Sequence, residues 1–108
     1  MKLEEAVKYL KDSDGPQQLC IDKGLVTDPD DLLIYMEKAI NLASELSFFS
    51  IQETEDDLIF NKDGVQYIQL FPAHYAVDLI ESDLDLLNKG LSDLQIAHRL
   101  LDYRINDA

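Results

Sequence analysis

After Ser47 the hydrophobic residues of this chain stop recurring every three or four positions. They recur instead in short or alternating runs: Phe48-Phe49-Ser50-Ile51, Leu58-Ile59-Phe60 and Val65-Gln66-Tyr67-Ile68-Gln69-Leu70-Phe71. Polar punctuation separates the runs, so the pattern predicts three strands. Asn61-Lys62-Asp63-Gly64 supplies the positive-φ residues of a tight hairpin between the second and third, and the acidic stretch from Glu53 to Asp57 joins the first to the second. An antiparallel meander is expected.

Helical spacing holds on either side of this block. Leu3, Ala6, Val7 and Leu10 predict a helix over about 2–12, stopped by Gly15-Pro16. Residues 17–26 are too few for periodicity to decide between a helical turn and an extended piece. Asp28-Pro29-Asp30-Asp31 is a strong start signal, with an oxygen for the orphan amides, a proline at the first helical position and acids at the positive dipole end. Leu32, Leu33, Met36, Ala39, Ile40, Ala43 and Leu46 then predict one long helix with an apolar stripe. Beyond Pro72, the positions Ala73, Ala76, Val77, Ile80, Leu84 and Leu87 predict another helix, with a break near Ser82. Ser92 and Gln95 have capping-box spacing ahead of a terminal helix over about 93–105. The expected fold class is therefore α+β, one domain over residues 1–108. A small three-stranded antiparallel sheet packs against helices in the order α, short element, α, β, β, β, α, α.

Charge is unevenly distributed. The 108 residues carry 22 acids against 9 bases, a net charge of −13. Residues 28–88 hold fourteen acids opposed by Lys38 and Lys62 alone, so the middle of the chain carries nearly all of the excess. Such a balance argues against nucleic acid as a partner, since phosphate binding needs clustered Lys and Arg. No apolar stretch reaches the ~20 residues that cross a bilayer. Acid also stands where a secretory peptide would place its apolar run, and a single cysteine, Cys20, fits a reducing compartment. These features point to the cytoplasm and away from a membrane.

Catalytic signatures are missing. One cysteine and two histidines, His74 and His98, cannot supply a zinc cage without two carboxylates, and Asp12-Ser13-Asp14-Gly15 and Asp83-Leu84-Asp85 fall short of a calcium loop. Cys20 lies between Leu19 and Ile21 without a local base, and the four glycines are scattered singly, without phosphate-loop spacing. The expectation is a non-enzyme with no metal and no cofactor.

Two acidic groups remain as candidate partner-binding residues: Glu53, Glu55, Asp56 and Asp57 at the hairpin edge, and Asp78, Glu81, Asp83 and Asp85 on the helix after Pro72. Acids on a solvated face also serve solubility alone. Concentrated as they are here, they create a field of one sign that would steer a basic protein. Apolar anchors would be needed as well, with Phe48, Phe49, Tyr67, Tyr35, Tyr75 and Tyr103 as candidates beside their alternative role in the core. In composition, though not in motif, the chain resembles the immunity proteins of bacterial toxin systems and the acidic chaperones of secretion systems. The leading expectation is a binding protein that neutralises a basic partner such as a nuclease-type toxin. The alternatives are a chaperone dimer holding an extended segment, a nucleic-acid-mimicking decoy, and a small enzyme with a shielded carboxylate. Monomer and homodimer are both compatible with the sequence.

Overall fold

Leu32-Leu33-Ile34-Tyr35-Met36 is a run of five apolar residues with no polar position to face water, and all five are buried. In the computed structural model, which describes residues 1–106 and at Asp83 the backbone only, this run is a central strand. The expected long helix is thus corrected. Asp28 does cap a turn, its carboxylate accepting from the Asp30 amide at 2.9 Å, but the turn is a single 3-10 turn over Pro29–Asp31 that leads straight into β1, Leu32–Glu37. A surface helix buries one stripe, whereas an inner strand buries both faces, and only the second accommodates five consecutive apolar side chains here.

The sheet has four strands, not three. β2 (Leu46–Ser50), β3 (Ile59–Lys62) and β4 (Val65–Pro72) join β1 in the order β2-β1-β4-β3, all antiparallel. The expected meander gives way because β1 stands between the first and third of the expected strands. Opposite Ile34/Tyr35, the register of β4 shifts by one residue, pairing Ile34 with Phe71 and Tyr35 with Gln69. The β3–β4 hairpin forms as expected, with positive φ at Asp63 (54°) and Gly64 (80°).

Helices other than the single turn α3 pack on one face of the sheet. α1 (Leu3–Leu10) buries Leu3, Ala6, Val7 and Leu10. Gly15-Pro16 starts α2 (Gly15–Lys23) rather than merely stopping α1, because proline fits a first turn whose amides have no partner. Of residues 17–26, left open by the sequence, 17–23 are helical, and α2 closes at Gly24 with φ 65°, ahead of Leu25 and Val26. α3 is one turn, Ile51–Thr54. α4 (Ala73–Asp78) runs into a wide π turn over Leu79–Asp83, which places the expected break, and a 3-10 turn follows over Leu86–Lys89. α5 (Asp93–Asn106) has the expected capping box: the Ser92 amide donates to Gln95 Oε1 at 2.8 Å and the Gln95 amide to Ser92 Oγ at 3.2 Å. The core joins Leu32, Ile34, Met36, Leu70 and Phe71 of the sheet to buried residues of α1, α2, α4 and α5.

The opposite face holds a second, smaller cluster. Tyr35, Phe49, Phe60 and Tyr67 come from all four strands, with ring centroids 5.1 Å apart for Phe49–Phe60 and for Phe49–Tyr67, and 5.5 Å for Tyr35–Phe49. β2 and β3 are opposite edges, so in a flat sheet they would stand about 14 Å apart. Contact between Phe49 and Phe60 therefore requires the sheet to curl around this face. No helix of the described residues is long and apolar enough to cross a membrane.

Candidate binding surface

The first acidic group is built on a buried polar cluster. Ser50 caps α3, its hydroxyl accepting from the Glu53 amide at 3.1 Å, and α3 ends after Thr54. Thr54 and Gln69 are the buried polar side chains of the core region. The Tyr35 hydroxyl donates to the Asp57 carbonyl at 2.5 Å, shares a hydrogen bond of 3.0 Å with Thr54 Oγ1 and accepts from the Gln69 amide at 3.2 Å. Gln69 Nε2 also reaches Asp56 Oδ1 at 3.1 Å and the Asp57 carbonyl at 3.3 Å. These bonds hold Glu55 and Asp56 in left-handed backbone, φ 55° and 59°, a conformation that disfavours residues with a Cβ and persists only where its surroundings enforce it.

Carboxylates on this turn face solvent: Glu53, Glu55, Asp56 and Asp57 are all exposed. Glu53 is paired with Lys62 Nζ at 2.8 Å, which raises the lysine pKa above its usual value, and the same ammonium lies 5.6 Å from the Phe49 ring centroid. Among the described residues no cation pairs with Glu55, Asp56 or Asp57.

The second group is arranged differently. Asp78 ends α4, Glu81 lies in the π turn, and Asp85 has φ 50° with Oδ1 accepting from Asn88 Nδ2 at 2.7 Å. Asp78, Glu81 and Asp85 are exposed, while the Asp83 side chain lies outside the described residues. α4 belongs to the helical layer and the 53–57 turn to the aromatic face, so the sheet stands between the two groups. They form two surfaces.

A third concentration of acid was not singled out by sequence. Ser13, Asp14, Gln17, Asp28, Pro29, Asp30 and His74 line a cavity of about 380 Å³. His74 Nε2 is 2.9 Å from Asp30 Oδ1 without the alignment of a hydrogen bond. Capping explains Asp28 and Asp30 locally, so their tertiary proximity to α4 left no mark on the sequence pattern. Among the described residues no group of three or more His, Cys, Asp and Glu side chains is placed to hold a metal ion. Cys20 is buried, and burial, with Asp28 nearby, pushes its thiol pKa up.

The aromatic candidates divide. Tyr35 is fully buried, Phe48 packs on the main core, Phe49 and Tyr67 are half-buried in the curl, and Tyr75 and Tyr103 meet near the end of α5. Of the expected strand Leu58-Ile59-Phe60, Leu58 precedes β3 and Ile59 opens it, and they are 65% and 53% exposed at that edge. Compared with protein-family models, curated proteins and solved structures, the chain matches none.

Proposed function

We propose that this chain is a non-catalytic binding protein that neutralises a basic protein partner, in the manner of an immunity protein that covers the cationic site of a nuclease-type toxin. The observation that carries the reading is the 53–57 turn. Its acidic residues are exposed, among the described residues only Glu53 has a cation partner while Asp56 accepts from Gln69, and its backbone is fixed from below by Tyr35, Thr54 and Gln69. A turn already held in its bound shape loses little conformational freedom on association, and acids of one sign raise the rate of encounter with a basic surface. Half-buried Phe49 and Tyr67 lie on the same face as apolar contacts.

The partner is to be recovered from host lysate with tagged protein, eluted in salt steps and identified by mass spectrometry. Its association rate is then measured for the wild type, for Glu55→Lys with Asp57→Lys, and for Asp78→Lys with Glu81→Lys. The first pair is expected to slow association by about ten-fold or more at low salt. Unchanged rates for folded variants of both pairs would overturn the reading. A chaperone reading draws on the exposed Leu58 and Ile59 at the β3 edge and requires a stable dimer that buries them. The decoy reading calls for one continuous row of carboxylates, and the two groups here lie on opposite sides of the sheet.

A further inference from the structure

A second site shares Gln69 with the bracing of the acidic turn but carries a cation where the turn carries acids. Where the end of α5 meets β4, Phe71, Pro72, Tyr75, Tyr103, Arg104 and Ile105 line a cavity of about 440 Å³, and among the described residues no acidic one lines it. Three rings build its wall, with centroids 5.6 Å apart for Phe71–Tyr75, 6.2 Å for Phe71–Tyr103 and 6.5 Å for Tyr75–Tyr103. All three pairs are tilted by 51–56°, with Phe71 buried beneath and the Tyr75 and Tyr103 hydroxyls 3.1 Å apart at the surface.

Arg104 gives the cavity its polarity. Its Nε donates to the Gln69 carbonyl at 3.1 Å, which fixes the guanidinium plane. The chain has two half-buried Lys or Arg side chains, Lys11 and Arg104. Lys11 is paired with Asp93, whereas among the described residues no carboxylate pairs with Arg104, in a protein with 22 acids. Its Nη groups make no hydrogen bond to a described residue. One planar fork suits one carboxylate bidentately, whereas phosphate sites collect several donors.

We propose that this cavity binds a small aromatic carboxylate, with its ring against the Tyr75 and Tyr103 wall that Phe71 backs and its carboxylate on Arg104. The volume lies in the range of small-molecule sites, which are apolar and aromatic with few fixed polar groups. A net charge of −13 repels anions at a distance. At physiological ionic strength that repulsion is screened beyond about 8 Å, so the direct contact with the guanidinium decides the local energy.

The probe is 4-hydroxyphenylacetate, compared with its uncharged amide, with binding followed by NMR of the full chain. Saturable shifts at Tyr75, Tyr103 and Ile105 are expected, with the amide at least about ten-fold weaker and Arg104→Gln weakening the acid by a similar factor. Arg104 also braces Gln69, so Ile105→Glu is measured beside it. Ile105 is 59% exposed at the rim, and the added carboxylate is expected to weaken the acid by a larger factor than the amide. Equal affinity for acid and amide, shifts confined to other residues, or no saturation at millimolar concentrations would each overturn the proposal. Arg104→Gln touches the bracing of the acidic turn through Gln69, whereas the acid-against-amide comparison and Ile105→Glu do not, so a failure of this proposal is distinguishable from a failure of the acidic-turn reading.

Discussion

Tyr35 joins two parts of the molecule that have opposite needs. Its ring is fully buried against Phe49, and its hydroxyl ends in the cluster that holds the acidic turn. Removing that oxygen leaves the Asp57 carbonyl, Thr54 hydroxyl and Gln69 amide short of a partner while the ring still fills its space. An unsatisfied buried polar group costs about 1–3 kcal/mol. Tyr35→Phe is therefore expected to lower stability by about that amount in urea unfolding. Amide exchange should also speed up around Glu55–Asp57 more than in α5. A uniform loss of protection would show that the hydroxyl braces the whole fold and not the turn. The clue in the sequence was Gln69, a lone amide inside the apolar run Tyr67–Phe71. Its partner Thr54 gave no such signal, since a threonine in an acidic stretch reads as surface.

At the scale of elements, success and failure of the sequence reading have the same physical origin. Signals that act over four residues were legible: the Ser92–Gln95 capping box and the Asp63-Gly64 turn specify their geometry with their own atoms. The 28–46 stretch was not, because a proline-and-acid start fits a 3-10 turn as well as a helix, and Leu32–Met36 matches a helical stripe whenever its intervening residues are ignored. What decides between them is burial on both faces of the sheet, a property of partners distant in sequence. The acidic groups were legible as composition, but their separation by the sheet depends on the placement of β1. Gly15 is a second case of distant control. Its φ is ordinary, yet a Cβ there would fall 1.4 Å from the Tyr9 carbonyl oxygen at the α1–α2 corner. Gly24 has positive φ and open space around it. Gly15→Ala is expected to lose more than about 3 kcal/mol of stability, since backbone must move, and Gly24→Ala about 1 kcal/mol from φ alone. Urea midpoints that ranked the two the other way would place the tight approach elsewhere.

For the whole molecule, two electrostatic effects compete as pH falls. Self-repulsion from the excess of acid opposes the compact state near neutrality, and it weakens as exposed carboxylates take up protons on the way to the isoelectric point near 4.2. Specific pairs act in the other direction. Glu45 accepts from the Met1 amine at 2.7 Å and from Lys2 Nζ at 2.8 Å, and the hydrogen bonds from Lys2 and the amine hold its pKa down at about 2. Asp22 is lowered as well, by hydrogen bonds from Tyr9 and Gln18. A carboxyl whose folded pKa is depressed stabilises the fold above its unfolded value, about 4 for these groups, and that contribution is lost as pH falls through the folded value. Relief of repulsion therefore acts between about pH 7 and 4.5, loss of the Glu45 bonds between about 4 and 2, and loss of the Asp22 bonds below about 4. The thermal midpoint is expected to rise from pH 7 to about pH 5 and to fall steeply below pH 4, measured on dilute samples because solubility is lowest near the isoelectric point. Salt separates the two limbs: about 0.5 M sodium chloride should flatten the rise by screening long-range repulsion, while hydrogen-bonded contacts under 3 Å keep the acid-side fall. In Glu45→Gln the fall should become shallower with the rise unaltered. A midpoint that declines steadily from pH 7 downward at low salt would mean that the 22 acids are already spaced widely enough for their repulsion to have no weight in the fold.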